Sequence, residues 1–366
     1  MKYAFAILLC IHGIIHLMGF AKAFYLTDIQ QQILGISKPI GFLWLVTFIL
    51  FIVTAIQFLT YKKWFYLAHI VVAVSQILII MAWKDARFGT ILNFIILVVS
   101  IASLSTYRFH AMIDNESTQI LYNATRSTHN NISKKNFKDL PEIVKKWMQN
   151  SGGTDHIKVS SVRLKQQGEM RMKPTSKWMS FKADQYFDVT HASFVWKTHV
   201  HENHVVNMVG RDKLVNGEGA MLIKLFGMFP VINASKNYQI NSGAMIRYLA
   251  ETCWFPSATL HDYITWEGID DTSARATFKQ NNLSVSGVFS FNTEGDLVSF
   301  KAERYYGGSE DAKLENWYVE MVSYKTFHGI RIPNKSKVTW QLENTDFHWL
   351  TIEITDLDYN PIQLFQ

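Results

Sequence analysis

Three groups of side chains in this sequence have the types and spacing to do chemistry. His12 and His16 stand four residues apart inside an apolar run, so a helix puts both imidazoles on one face. Such a pair at membrane depth could ligate haem or a metal. Alternatively it hydrogen-bonds neighbouring helices through Ser75, Gln76 or Asn93, and this second reading weighs more. The string His199-Val200-His201-Glu202-Asn203-His204 places two imidazoles on one face of a strand, and a turn could bring in the third. An exposed hairpin tip explains it more economically. Arg247 and Glu251 share a helical face, either as an acid–base or substrate-clamping pair beside Trp254, or as a buried ion pair joined by Arg304 or Glu267. No Gly-x-Ser-x-Gly elbow, phosphate loop or dinucleotide fingerprint accompanies them.

The elements that must position these groups begin with four apolar runs, Tyr3–Phe20, Gly41–Thr60, Trp64–Trp83 and Gly89–Thr106. Each matches the roughly 20 residues needed to cross a hydrocarbon core, which predicts a four-helix transmembrane domain over residues 1–108. The composition agrees: of 366 residues 48% are hydrophobic and only 18% charged, which excludes a disordered chain and a charge-dominated nucleic-acid binder. The net charge of +6 suits anionic phospholipid nearby. Basic flanks do not orient the spans, because Lys2, Lys62, Lys63 and Arg108 on one side balance Lys22, Lys38, Lys84 and Arg87 on the other. The two cysteines, Cys10 and Cys253, offer neither a disulfide framework nor a thiolate metal site.

Residues 109–155 read as a linker containing one amphipathic helix over Leu140–Met148, with Pro141 at its start and Gly152-Gly153 beyond its end. From residue 156 to 366 the period becomes two. Strands are expected at Trp178–Val189, Ser193–His201, Val205–Asn216, Ser273–Phe278, Leu283–Phe291, Leu297–Tyr306, Trp317–Phe327, Ile332–Leu342 and Phe347–Tyr359. Roughly ten antiparallel strands should curl into a half-barrel. A helix over Gly243–Cys253, capped by Ser242 and stopped by Pro256, is expected to lie across the sheet as a lid. Trp196, Phe226, Phe229, Trp254, Phe255, Trp266, Phe289 and Phe291 could line a cavity beneath it, although an aromatic stripe is more often plain core.

Several strings then resemble one family. They are Trp178-Met179 with Ala183-Asp184-Gln185-Tyr186-Phe187, Gly210-Arg211-Asp212, Arg247-Tyr248-Leu249-Ala250-Glu251 running to Trp254-Phe255-Pro256, Trp266-Glu267 with Asp270-Asp271, Gly287–Phe291, Arg304-Tyr305 and Gly329–Pro333. Together with Ile11–Phe20 they look like uncharacterised bacterial proteins with a multi-span membrane region and a C-terminal lipoprotein-carrier-like (LolA/LolB-like) domain. The resemblance implies an α-helical membrane domain plus a curved antiparallel half-barrel that shelters acyl chains. It also implies a multi-pass inner-membrane location with the half-barrel in the periplasm.

On this reading the partner is a membrane lipid or lipidated protein, no cofactor or nucleic acid is involved, and no residue is catalytic. Trp196, Arg247, Glu251, Trp254, Phe255, Trp266, Phe289, Phe291 and Arg304 form the ligand-binding set, with either arginine facing an anionic headgroup. The alternative is an enzyme acting on a membrane-embedded substrate through Arg247 and Glu251, or through a metal or haem on the transmembrane histidines.

Overall fold

The computed structural model describes residues 2–26, 35–61, 63–127, 137–154, 158–201, 207–235 and 237–365. They form two compact units, one of residues 1–109 with 226–228, the other of residues 110–225 with 229–366.

The first unit contains α1 (Lys2–Ala23), α2 (Lys38–Thr60), α3 (Phe65–Met81), the single turn α4 (Trp83–Ala86) and the start of α5 (Gly89–Ser127). Three helices among the described residues, α1, α2 and α5, are long and apolar enough to span a membrane, not four. The third apolar run yields only the 17 residues of α3, because Trp64 caps the helix and Ala82 leaves helical geometry. Leu9, Phe51, Val71, Val72 and Ile96 make the unit's central apolar cluster. Helices α1 and α2 approach closely because a side chain at Gly19 would overlap the ring of Trp44, whose Cδ2 lies 2.4 Å from the place a Cβ would occupy.

The stretch expected as a linker is largely helical. Helix α5 continues past residue 108 to Ser127, and from Ile113 onward Ser117, Ile120, Leu121 and Ala124 recur at helical spacing as its buried face. In the second unit that face lies beside β-strand cations: Lys197 Nζ meets Asp114 Oδ1 at 2.6 Å and Lys213 Nζ meets Glu116 Oε1 at 2.7 Å. Helix α6 (Glu142–Asn150) follows Pro141 as expected, with Ile143, Val144, Trp147 and Met148 buried. The polar string Asn130–Ser133 lies outside the described residues.

The rest of the second unit is one antiparallel sheet of thirteen strands rather than about ten. These are β1 (Ser161–Met170), β2 (Met179–Asp188), β3 (Ser193–His201), β4 (Asn207–Val215), β5 (Glu218–Leu225), β6 (Phe229–Ser235), β7 (Ile264–Asp270), β8 (Ser273–Gln280), β9 (Leu283–Phe291), β10 (Leu297–Tyr305), β11 (Leu314–Phe327), β12 (Ile330–Gln341) and β13 (Asp346–Tyr359). Their order is β6-β5-β4-β3-β2-β1-β13-β12-β11-β10-β9-β8-β7, two meanders joined where β1 pairs with β13. The sheet curls into a half-barrel far enough for turn to meet turn. Asn281 Nδ2 of the β8–β9 turn donates to the Asn216 carbonyl of the β4–β5 turn at 2.8 Å.

Helix α7 (Tyr238–Glu251) bridges β6 and β7. Its cap is Asn237, five residues before the expected Ser242, with Oδ1 accepting from the Ile240 amide at 2.7 Å. It is not a lid over open space. Met245, Tyr248 and Leu249 are fully buried in one core with Phe255, Phe278, Phe289 and Phe300, so the helix fills the concave face instead of closing a cavity above it.

Candidate functional site

Strand register sets the polar centre of the concave face. Gln185 lies directly opposite Trp196, and Trp196 opposite Asp212, so strands β2, β3 and β4 present these three side chains on one rung. Helix α7 lowers Arg247 and Glu251 onto that rung. Arg247 Nη1 donates to Asp212 Oδ2 at 2.6 Å and Nε to Glu251 Oε1 at 2.8 Å. Gln185 Nε2 donates to the other Glu251 oxygen at 2.8 Å, Gln166 Nε2 to Gln185 Oε1 at 2.9 Å, and Trp196 Nε1 to Gln166 Oε1 at 2.7 Å. The Arg247 guanidinium also lies 5.0 Å from the ring centres of Phe194 and Trp196. Burial pushes the Glu251 carboxyl upward, opposed by Arg247 and then by the Gln185 hydrogen bond. Both oxygens of Glu251 accept hydrogen bonds, so Arg247, Asp212, Glu251 and the glutamines form one buried ion-pair network.

Arg304 is different. Its guanidinium sits 4.9 Å from the Trp317 ring and 5.8 Å from Trp340, and a Cβ on Gly243 of α7 would come within 3.3 Å of its Nε. Among the described residues no carboxylate pairs with it and no side-chain hydrogen bond satisfies it. Burial lowers its pKa to about 10; Asp212 and Glu251 pull upward, while Arg247 pushes further down. Glu267, the other partner expected for Arg247, is exposed on β7 and faces Arg275 at 3.6 Å.

A real opening lies further along the same face. Val200 stands opposite Met208, Met170 opposite Met179, and Ile223 opposite Ile232. With Met172, Ser176, Lys177 and Val231 they enclose a groove of about 490 Å³. Between it and the polar rung runs a rung of small side chains, Ala183, Thr198 and Gly210, where a Cβ on Gly210 would come within 2.8 Å of Thr198. The groove's lining is apolar apart from Ser176 and Lys177, and four of its walls are methionines.

The structure separates the nine expected ligand residues. Trp254, Phe255, Phe289 and Phe291 are core, with Trp254 Nε1 donating to the Pro333 carbonyl at 3.2 Å. Trp196, Arg247 and Glu251 belong to the ion-pair rung, and Arg304 stands beside it. Trp266 lines a second opening of about 520 Å³ with Asp139, Glu142, Asp270 and Asp271; there Asp270 Oδ1 accepts from the Thr272 amide at 2.9 Å, an ordinary turn. Asp212, Gln185 and Gln166 were not singled out individually in the sequence, although two of them fall inside quoted strings. The groove methionines carried no signal, since only register brings them together.

The histidines divide similarly. His12 Nε2 lies 2.9 Å from Asn93 Oδ1, His16 Nδ1 2.9 Å from the His12 carbonyl, and His16 Nε2 2.9 Å from Ser75 Oγ. The carbonyl only accepts, so a neutral His16 donates through Nδ1 and receives the Ser75 hydroxyl at Nε2. Asn93 Nδ2 donates to Ser75 Oγ at 3.0 Å and Gln76 Oε1 at 3.1 Å. His199 stacks edge-on to His110 at 4.6 Å between ring centres, His201 is exposed, and His204 lies outside the described residues. Among the described residues no three His, Cys, Asp or Glu side chains are grouped to hold a metal.

The sheet unit is similar to two solved structures. A DUF1329 family protein from Desulfovibrio piger aligns at 11% identity over 60% of this chain and 94% of its own, with a TM-score of 0.34. A LolA superfamily protein from Nitrosomonas europaea aligns at 7% identity over 57% and 91%, with a TM-score of 0.29. No curated protein matches the sequence. Residues 138–359, which include all thirteen strands, match the family of unknown function DUF6920, and the chain belongs to that family.

Proposed function

We propose that this chain is a membrane-anchored lipid-binding protein that holds an acyl chain, free or on a lipidated protein, in the methionine-lined groove of its half-barrel. The observation that carries the reading is the groove itself. Its volume falls within the roughly 300–1,000 Å³ of small-molecule sites, and unbranched, polarisable methionines conform to a flexible chain better than rigid aromatics would. Burial there would stabilise a bound chain by about 0.8 kcal/mol per methylene. Arg304, a guanidinium without an anionic partner on the same sheet, is the group we assign to a phosphate or carboxylate headgroup. We place the protein in the bacterial inner membrane with the half-barrel in the periplasm, following its family resemblance.

The test uses the full chain in bilayers containing a phospholipid with a diazirine in its acyl chain. After irradiation, adducts located by peptide mass spectrometry are expected on the segments carrying Met170, Met179 and Met208, and their loss is expected in Met208→Asp. Adducts confined to α1, α2 and the first half of α5 would sink the reading.

A further inference from the structure

The hairpin of β5 and β6 carries an apolar stretch that the groove alone does not explain. Leu225-Phe226-Gly227-Met228-Phe229-Pro230-Val231 contains no charged or hydrogen-bonding side chain. Phe226 and Gly227 both take left-handed backbone angles, φ 52° and 69°, which fold the two strands back tightly at this point. On β6, Phe229 is 60% and Val231 55% exposed, with Pro230 exposed between them. Leaving a phenylalanine and a valine in water at the end of a sheet is unfavourable unless something apolar receives them.

Strand β6 is also the first strand of the sheet, so among the described residues no strand pairs with its outer edge. A protein partner adding a strand there would meet Pro230, which has no amide hydrogen to give. It would also meet the register shift at Val231, which is skipped where Ile223 pairs with Ile232 and Lys224 with Pro230, so the edge such a partner reads is irregular. Lipid needs no such register. The chain supplies its own lipid surface through three helices apolar and long enough to span it. We infer that the β5–β6 hairpin is a bilayer-docking element, with Phe229 and Val231 seated among the headgroups and upper acyl chains of the membrane in which the protein is anchored.

The inference stands apart from the groove's proposed occupant, although Val231 lies on both surfaces. If both hold, a chain leaving the bilayer beside Val231 enters the groove without crossing water.

The experiment places one fluorophore at Phe229→Cys, Val231→Cys or, as a control on an exposed strand position away from the hairpin, Ser284→Cys. The background is Cys10→Ser with Cys253→Ala, in full-length protein in nanodiscs of phosphatidylethanolamine and phosphatidylglycerol. Spin-labelled lipid in the disc should quench residues 229 and 231 several-fold more than residue 284, and aqueous iodide should show the reverse order. Equal iodide quenching at all three positions would overturn the inference by leaving the hairpin in water. Protection of residues 229 and 231 from both quenchers would overturn it by showing that protein covers them. Unchanged intrinsic tryptophan fluorescence certifies that each labelled variant is folded, and the outcome is the same whether or not the groove crosslinks to lipid.

Discussion

Among the described residues a buried polar network lies in each unit, and the two are made of different materials. The helical network of His12, His16, Ser75, Asn93 and Gln76 contains no Asp, Glu, Lys or Arg; each bond joins groups that can be neutral. The half-barrel network is built around a full guanidinium shared by two carboxylates, with glutamines absorbing the remaining lone pair. A helix in hydrocarbon satisfies its own backbone and offers only side chains to a neighbour, so a neutral network is the least costly glue. A sheet can aim partners from several adjacent strands at one charge, which makes burial of an ion cluster tolerable. Beside that network lies Arg304, a buried guanidinium for which the described residues supply no carboxylate ion pair.

The comparison breaks first at Arg247. Arg247→Leu should leave Asp212 and Glu251 buried without a cation and cost about 3–5 kcal/mol, read as a lower midpoint of denaturant unfolding followed by tryptophan fluorescence. A loss below that of a surface substitution would mean water enters the rung.

Asn93→Leu removes the hub of the helical network, and a cost of only about 0.6–2 kcal/mol is expected, measured by SDS-induced unfolding in micelles. A loss as large as that at Arg247 would erase the distinction between the networks.

Arg304→Gln gives up only contacts with two indoles, so stability should fall by about 1 kcal/mol or less. Preference for anionic over zwitterionic lipid in a flotation assay should nevertheless disappear. A stability loss comparable with Arg247→Leu would make Arg304 a core ion and remove it from the site.

The smallest effect is at His191, half exposed, whose pKa is raised chiefly by its hydrogen bond to Asp188, Nδ1 to Oδ2 at 2.7 Å. Because the folded value exceeds the unfolded 6.5, this stabilisation is full below that pH and fades as pH rises through the folded value. Wild type minus His191→Gln, compared by thermal midpoint on either side of neutrality, should therefore shrink at the higher pH; growth would reverse the sign of the linkage.

Much of the sheet was legible because alternation is local. β2, β3, β8, β9 and β13 follow stretches where every second residue is apolar, bounded by turn residues such as Asn281-Asn282 and Gly295-Asp296. β5 and β6 were not, since Ala220–Ile223 and Phe229–Ile232 are apolar on both faces and carry no period of two. The far half of α5 hid behind Asp114, Asn115 and Glu116, whose polarity reads as a linker until sheet cations answer the two charges. The Arg247–Glu251 pair was visible from spacing, whereas Asp212, 35 residues earlier, becomes its partner only through three-strand register. The aromatics suggested a cavity; their volume is what fills it.

The pairing of β1 with β13 joins residues nearly two hundred positions apart, for example Val162 with Tyr359. Translation therefore sets a schedule for this protein. The first meander emerges with β1 lacking its inner neighbour, and it keeps that open edge until β13 has emerged. A ribosome stalled between β6 and β13 would hold out an unfinished sheet, ready to pair with the wrong strand, on a chain whose long apolar helices have already emerged.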